Sequence, residues 1–94
     1  MPRIHHGTLV ANAVTYYTLD ADYQNVEVLN RAAAGGPDLF FRVDGDDAEV
    51  LGNDNYIVSA GGFLQVPVPG VAGPTLITLI SAGAPAYSVS GLVQ

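Results

Sequence analysis

The chain has no cysteine, no tryptophan and no lysine, and both of its histidines lie within six residues of the N-terminus. Without cysteine there are no disulfides and no thiolate metal ligands, which by itself leaves the compartment open. The cations are Arg3, Arg31 and Arg42, set against nine carboxylates for a formal charge of −6. Binding to phosphate backbones requires clustered cations that displace counterions. Three scattered arginines form no such patch, so neither nucleic acid nor an anionic membrane surface is expected as a partner. No apolar run approaches the roughly 18 residues of a membrane-spanning helix, so no membrane span is expected. Met1–Thr8 lacks the apolar core of a signal peptide, which predicts synthesis in the cytoplasm without export by the ordinary route.

Side chains suited to chemistry are sparse and badly placed. His5 and His6 are adjacent, and adjacent residues on an extended chain point to opposite sides, so they are not expected to share a metal ion. Asp44, Asp46, Asp47, Glu49, Asn53 and Asp54 make an oxygen-rich segment of the kind calcium favours. Gly45 falls too early and Glu49 too near for the EF-hand spacing, and a solvated turn is expected instead. Catalysis by paired carboxylates needs a cleft that raises one pKa, whereas these acids sit in turns or on polar faces. Ser59, Ser81, Ser88 and Ser90 have no histidine near them in sequence. A hydrolase would need His5 or His6 brought beside a serine or an acid by the fold. Five tyrosines without tryptophan are a weak signal for sugar stacking, and Tyr16-Tyr17 reads as one core ring and one surface ring. No catalytic residue, cofactor or metal ligand is expected.

What the sequence does contain is short β-strands and tight turns. Ninety-four residues make one domain, here an arm over residues 1–8 and a β-sandwich domain over residues 9–94. Strand-like runs cover Leu9–Leu19, Gln24–Asn30, Leu39–Val43, Tyr56–Val58, Phe63–Val68, Thr75–Ile80 and Ala86–Val93. The first is long enough to predict a bend at Ala11–Ala13. Val26 and Val28 share a face, as do Leu39, Phe41 and Val43, the period of half-buried strands. Phe40 falls on the opposite face, toward a partner or a neighbouring loop. Asp20-Ala21-Asp22 and Asp44-Gly45 are turn signals. Ala32-Ala33-Ala34 runs straight into Gly35-Gly36-Pro37 and is too short for an isolated helix.

Pro67 and Pro69 lie two apart, so both missing amides fall on one side of the strand. A central strand does not lose two ladder donors on one side, and Phe63–Val68 is therefore expected at an edge. Thr75–Ile80 is apolar on both faces, with Ile77 and Leu79 on one of them, which predicts a central, covered strand or an interface. Seven antiparallel strands at nearly regular spacing predict an all-β fold, a small sandwich or barrel. A domain this small that is 49% hydrophobic is expected to leave apolar surface outside, and exposed apolar surface points to a partner.

Four stretches carry a resemblance: LDADYQNVEVLNR from Leu19, FFRVDG from Phe40, GNDNYIVSAGG from Gly52 and LISAGAPAYSVSG from Leu79. They are similar to small all-β virion structural proteins of tailed phages that infect actinobacteria. The resemblance covers about three quarters of the chain, from Leu19 onward, and consists of turns and core strands without a functional-site signature. It implies a capsid decoration or cement protein on the outer surface of the virion. It implies the major capsid protein as partner and a homo-oligomer, by preference a trimer. On this reading Arg3, Ile4, His5 and His6 of the arm contact the capsid, and Phe40, Ile77 and Leu79 are the further interface candidates. A tail or fibre component touching the host surface is the alternative, and a small hydrolase the remote one.

Overall fold

The computed structural model describes residues 4–19, 23–68 and 74–92. Arg3, the Asp20–Asp22 turn and Pro69 lie outside them. The described residues form eight strands and no helix: β1 Ile4–Thr8, β2 Thr15–Leu19, β3 Asn25–Asn30, β4 Leu39–Arg42, β5 Tyr56–Val58, β6 Phe63–Pro67, β7 Thr75–Ile80 and β8 Ala86–Leu92. They make two four-stranded sheets, one ordered β1-β8-β3-β6 and the other β2-β7-β4-β5. Every pairing is antiparallel. The fold is all-β, as expected, with two separate sheets instead of one closed barrel.

The extra strand is the segment expected to be an arm. Ile4–Thr8 pairs along its whole length with β8, from Ile4 opposite Ser90 to Thr8 opposite Ala86. Gly7 makes this pairing possible, because the Tyr87 ring lies over it. A Cβ at Gly7 would sit 2.7 Å from the Tyr87 hydroxyl. The expected single strand Leu9–Leu19 is likewise divided. The chain crosses between sheets there, turning at Asn12 with φ near 60°. Leu9 donates its amide to Pro85 and Asn12 donates to Ser81, which fixes the crossing. Asn tolerates this left-handed conformation better than most residues.

The core lies between the sheets. Val26, Val28, Val66, Tyr87 and Val89 from one sheet meet Leu19, Leu39, Phe41, Val58, Ile77 and Leu79 from the other. Full burial of such side chains stabilises by about 1.5–3 kcal/mol each relative to exposure. Period-2 alternation places them: β3 is buried at Val26, Val28 and Asn30 and half-buried between. β6 is an edge strand, with Pro67 at its end opposite Asn25. β7 is central, between β2 and β4, and Thr75 and Ile77–Ile80 are all buried. Its outer side is covered by the β4–β5 connection, whose Ala48 and Val50 pack with Phe40, Ile80 and Val14.

Asn30 ties the two sheets together at the far end. Its side-chain amide donates to Pro37 O at 2.9 Å and to Val58 O at 3.0 Å, and its Oδ1 accepts from the Ala32 amide at 3.1 Å. Among the described residues no buried side-chain nitrogen or oxygen lacks a partner. The buried polar side chains of these residues are thus all hydrogen-bonded, as is usual in a folded interior.

Candidate docking surface

The expected interface residues separate sharply. Ile77 and Leu79 are fully buried at 0% exposure. They belong to the chain's own core, opposite Tyr17 and Thr15 of β2. Neither offers surface to a partner. Phe40 is corrected in the same way: it is 3% exposed because the β4–β5 connection folds over it. An aromatic ring on the outer face of a sheet is stable there only if covered, and Ala48 and Val50 supply the cover. Of the arm residues, Ile4 is exposed on the outer face of the first sheet.

His5 and His6 point to opposite sides of β1. His5 turns inward, stacked on Tyr17 of the other sheet with ring centroids 4.7 Å apart, and its Nε2 shares a 3.2 Å hydrogen bond with the Tyr87 hydroxyl. Burial, and then the neighbouring Tyr17, raise the Tyr87 phenol above its ordinary pKa. His6 turns outward and its Nδ1 meets Ser88 Oγ at 2.6 Å. A serine and a histidine separated by 82 residues are therefore in contact. The surroundings do not suit acyl transfer. Ser88 is 5% exposed, and β8 has partners on both sides, so the amides near Ser88 are committed to ladders and cannot form an oxyanion hole.

The oxygen-rich segment is organised by Arg42. The guanidinium makes a two-point pair with Asp44, with Nε 3.0 Å from Oδ1 and Nη2 on Oδ2. It also reaches Asp46 at 3.4 Å and Asp54 at 3.8 Å. Its hydrogen bonds hold the Asp44 carboxyl below its ordinary pKa. Tyr16 donates to Asp47 at 2.8 Å, and that bond raises the Tyr16 phenol. Among the described residues no three acids or histidines converge on a point that a metal ion could take. A cleft of about 150 Å³ between Arg42, Val43, Asp44, Asp54 and Tyr56 is walled largely by this ion-pair set. Its polar groups already bond one another.

The same segment carries the feature that sequence reasoning passed over. Glu49 O accepts from the Gly52 amide at 3.0 Å, closing a turn with Val50 and Leu51 at its centre. Leu51 has φ near 61° and is 80% exposed. That turn position calls for glycine or asparagine, and a leucine there costs about 1–2 kcal/mol of backbone strain. Val50, its neighbour, packs on Phe40 and Ile80. Ile57, paired with Phe40 across β4 and β5, is 53% exposed on that same face. The available signal was an apolar pair, Val50-Leu51, inside an otherwise polar loop.

Comparisons with known proteins give the fold and nothing further. No family model and no curated protein matches this sequence. The chain is similar to the crystal structure of PirA, with a TM-score of 0.67 over 98% of this chain and 95% of that one. Identity is 12%, so the likeness is one of fold alone.

Proposed function

We propose that this chain is a non-catalytic structural protein of a phage virion, a decoration protein that docks on the outside of the major capsid lattice and stabilises it. The observation that carries a docking role is the division of its side chains. Among the described residues the buried polar side chains are hydrogen-bonded, while Ile4, Val10, Leu51, Ile57 and Phe63 stand exposed. The short dimension of the molecule is 17 Å, little more than two sheets, which leaves no depth for an enclosing substrate cleft. The virion assignment rests on the sequence resemblance, as does the expectation of a homo-oligomer, by preference a trimer. An acidic surface keeps such a module soluble and apart from host nucleic acid.

The test is co-sedimentation of the purified chain with capsids that lack it. Saturable binding in a fixed ratio to the major capsid protein is the expected result. Absence of binding would sink the capsid assignment and turn attention to tail components.

A further inference from the structure

We propose that the Val50-Leu51 turn and Ile57 form a preformed knob that inserts into an apolar socket rimmed by lysine or arginine on a different protein. Three observations converge on it. Leu51 is held in a left-handed conformation and is 80% exposed, a costly arrangement in which the leucine side chain itself gains little burial. The turn that presents it is fixed from below: Val50 packs against Phe40 and Ile80, and Asn55 Oδ1 accepts the Glu49 amide at 3.0 Å. A rigid support of this kind lowers the ordering cost of binding.

Charge identifies the occupant. Asp44, Asp46, Asp47, Glu49 and Asp54, five of the chain's nine acids, flank the knob within twelve residues of sequence. Arg42 pairs with Asp44, Asp46 and Asp54, but its single charge balances only one of the five, so the segment that carries the knob stays net negative. A second copy of this chain would bring like charges together there, and an anionic lipid surface is repelled in the same way. A cation-rimmed apolar depression on a protein is complementary in both shape and sign. Such a rim also speeds encounter and makes it sensitive to salt.

The inference rests on the docking role proposed above, but not on the capsid as the surface docked to. Leu51→p-benzoylphenylalanine, introduced into the full chain in the cells in which it is naturally made, tests it directly. After irradiation, the cross-linked peptide is sequenced. A peptide of another protein that combines apolar residues with lysine or arginine is the expected product. Whether that peptide belongs to the capsid or to a tail protein decides the capsid assignment separately. Cross-links only to a second copy, to a peptide without cations, or to nothing would overturn the knob.

Leu51→Gly supplies a second reading that misfolding does not confound. Glycine relieves the left-handed strain, so the unfolding midpoint should hold or rise. The amount of chain retained on its partner should nevertheless fall about ten- to a hundredfold, the scale of burying one leucine. Unchanged retention would also overturn the inference.

Discussion

His5 lies on Tyr17 with 13° between the ring planes, joining the edge strand of one sheet to the edge strand of the other. The N-terminal strand is thereby clamped from two directions, by its ladder to β8 and by this stack.

Replacing His5 with alanine removes the stack and the hydrogen bond to Tyr87 together. A stacked pair contributes about 0.5–1.5 kcal/mol beyond its buried area, and a hydrogen bond about 1 kcal/mol. His5→Ala should therefore lower stability by about 1–2 kcal/mol, read as a shift in urea midpoint by tyrosine fluorescence. His5→Phe should recover the stacking part. An unchanged midpoint in His5→Ala would show that β1 contributes nothing through this ring.

Asn30 should be the costliest polar position to change. It is 0% exposed and makes three side-chain hydrogen bonds, one to Val58 of the other sheet and two to the connection between β3 and β4. Asn30→Ala leaves two carbonyls and one amide without those partners in the interior. Each buried unsatisfied group costs about 1–3 kcal/mol, and partial relaxation brings the expected total to about 2–4 kcal/mol. Chemical denaturation measures it. A loss under 1 kcal/mol, about the size of a surface substitution, would mean that water replaces the amide.

Stability should fall at both extremes of pH, for separate reasons. The Asp44 carboxyl is lowered by its hydrogen bonds with Arg42, so its contribution is present above the ordinary carboxylate range and is lost as pH falls through the lowered value. Tyr87 is raised by burial, so its contribution is present below the ordinary phenol value of about 10 and is lost as pH rises through the raised one. Asp44 is half exposed, so solvent screening keeps the acid-side effect small. Arg42→Gln should flatten the acid limb of a melting-temperature profile and leave the alkaline limb unchanged. Identical profiles for the two chains would remove Asp44 as a cause.

The fold was legible where burial imposes a period. β3, β4 and β8 follow from alternating apolar residues, β7 from a run apolar on both faces, and Pro67 places β6 at an edge because proline cannot donate to a ladder. Ile4–Thr8 was not legible as a strand. Its sequence, Ile-His-His-Gly-Thr, has only one aliphatic core-type residue, and its partner Tyr87 lies eighty residues away. For Phe40, Ile77 and Leu79 the interface reading failed and the other reading held, a neighbouring loop over Phe40 and a covered central strand for Ile77 and Leu79. Alternation tells which residues share a face, not what covers that face: the opposite sheet covers Ile77 and Leu79, while the β4–β5 connection, which looks like a solvated turn, covers Phe40. Leu51 was missed because its meaning depends on a backbone angle that sequence does not disclose.

The fold brings His6 against Ser88, a pairing of a catalytic kind, and it should prove inert. A serine nucleophile needs a histidine oriented by a third group and donors aimed at the developing oxyanion. Among the described residues no carboxylate is paired with His6. Ser88 sits mid-strand on a central strand between His6 and Leu29, where backbone amides face neighbouring strands and not a substrate. The hydrogen bond is better understood as a cross-strand pair that helps hold β1 to β8, worth about 0.2–1 kcal/mol. Hydrolysis of p-nitrophenyl acetate by the chain should be slow, linear in substrate and the same in Ser88→Ala as in the parent. Saturable hydrolysis that disappears in both Ser88→Ala and His6→Ala would instead establish a nucleophile at this pair, and the non-catalytic reading would have to be given up.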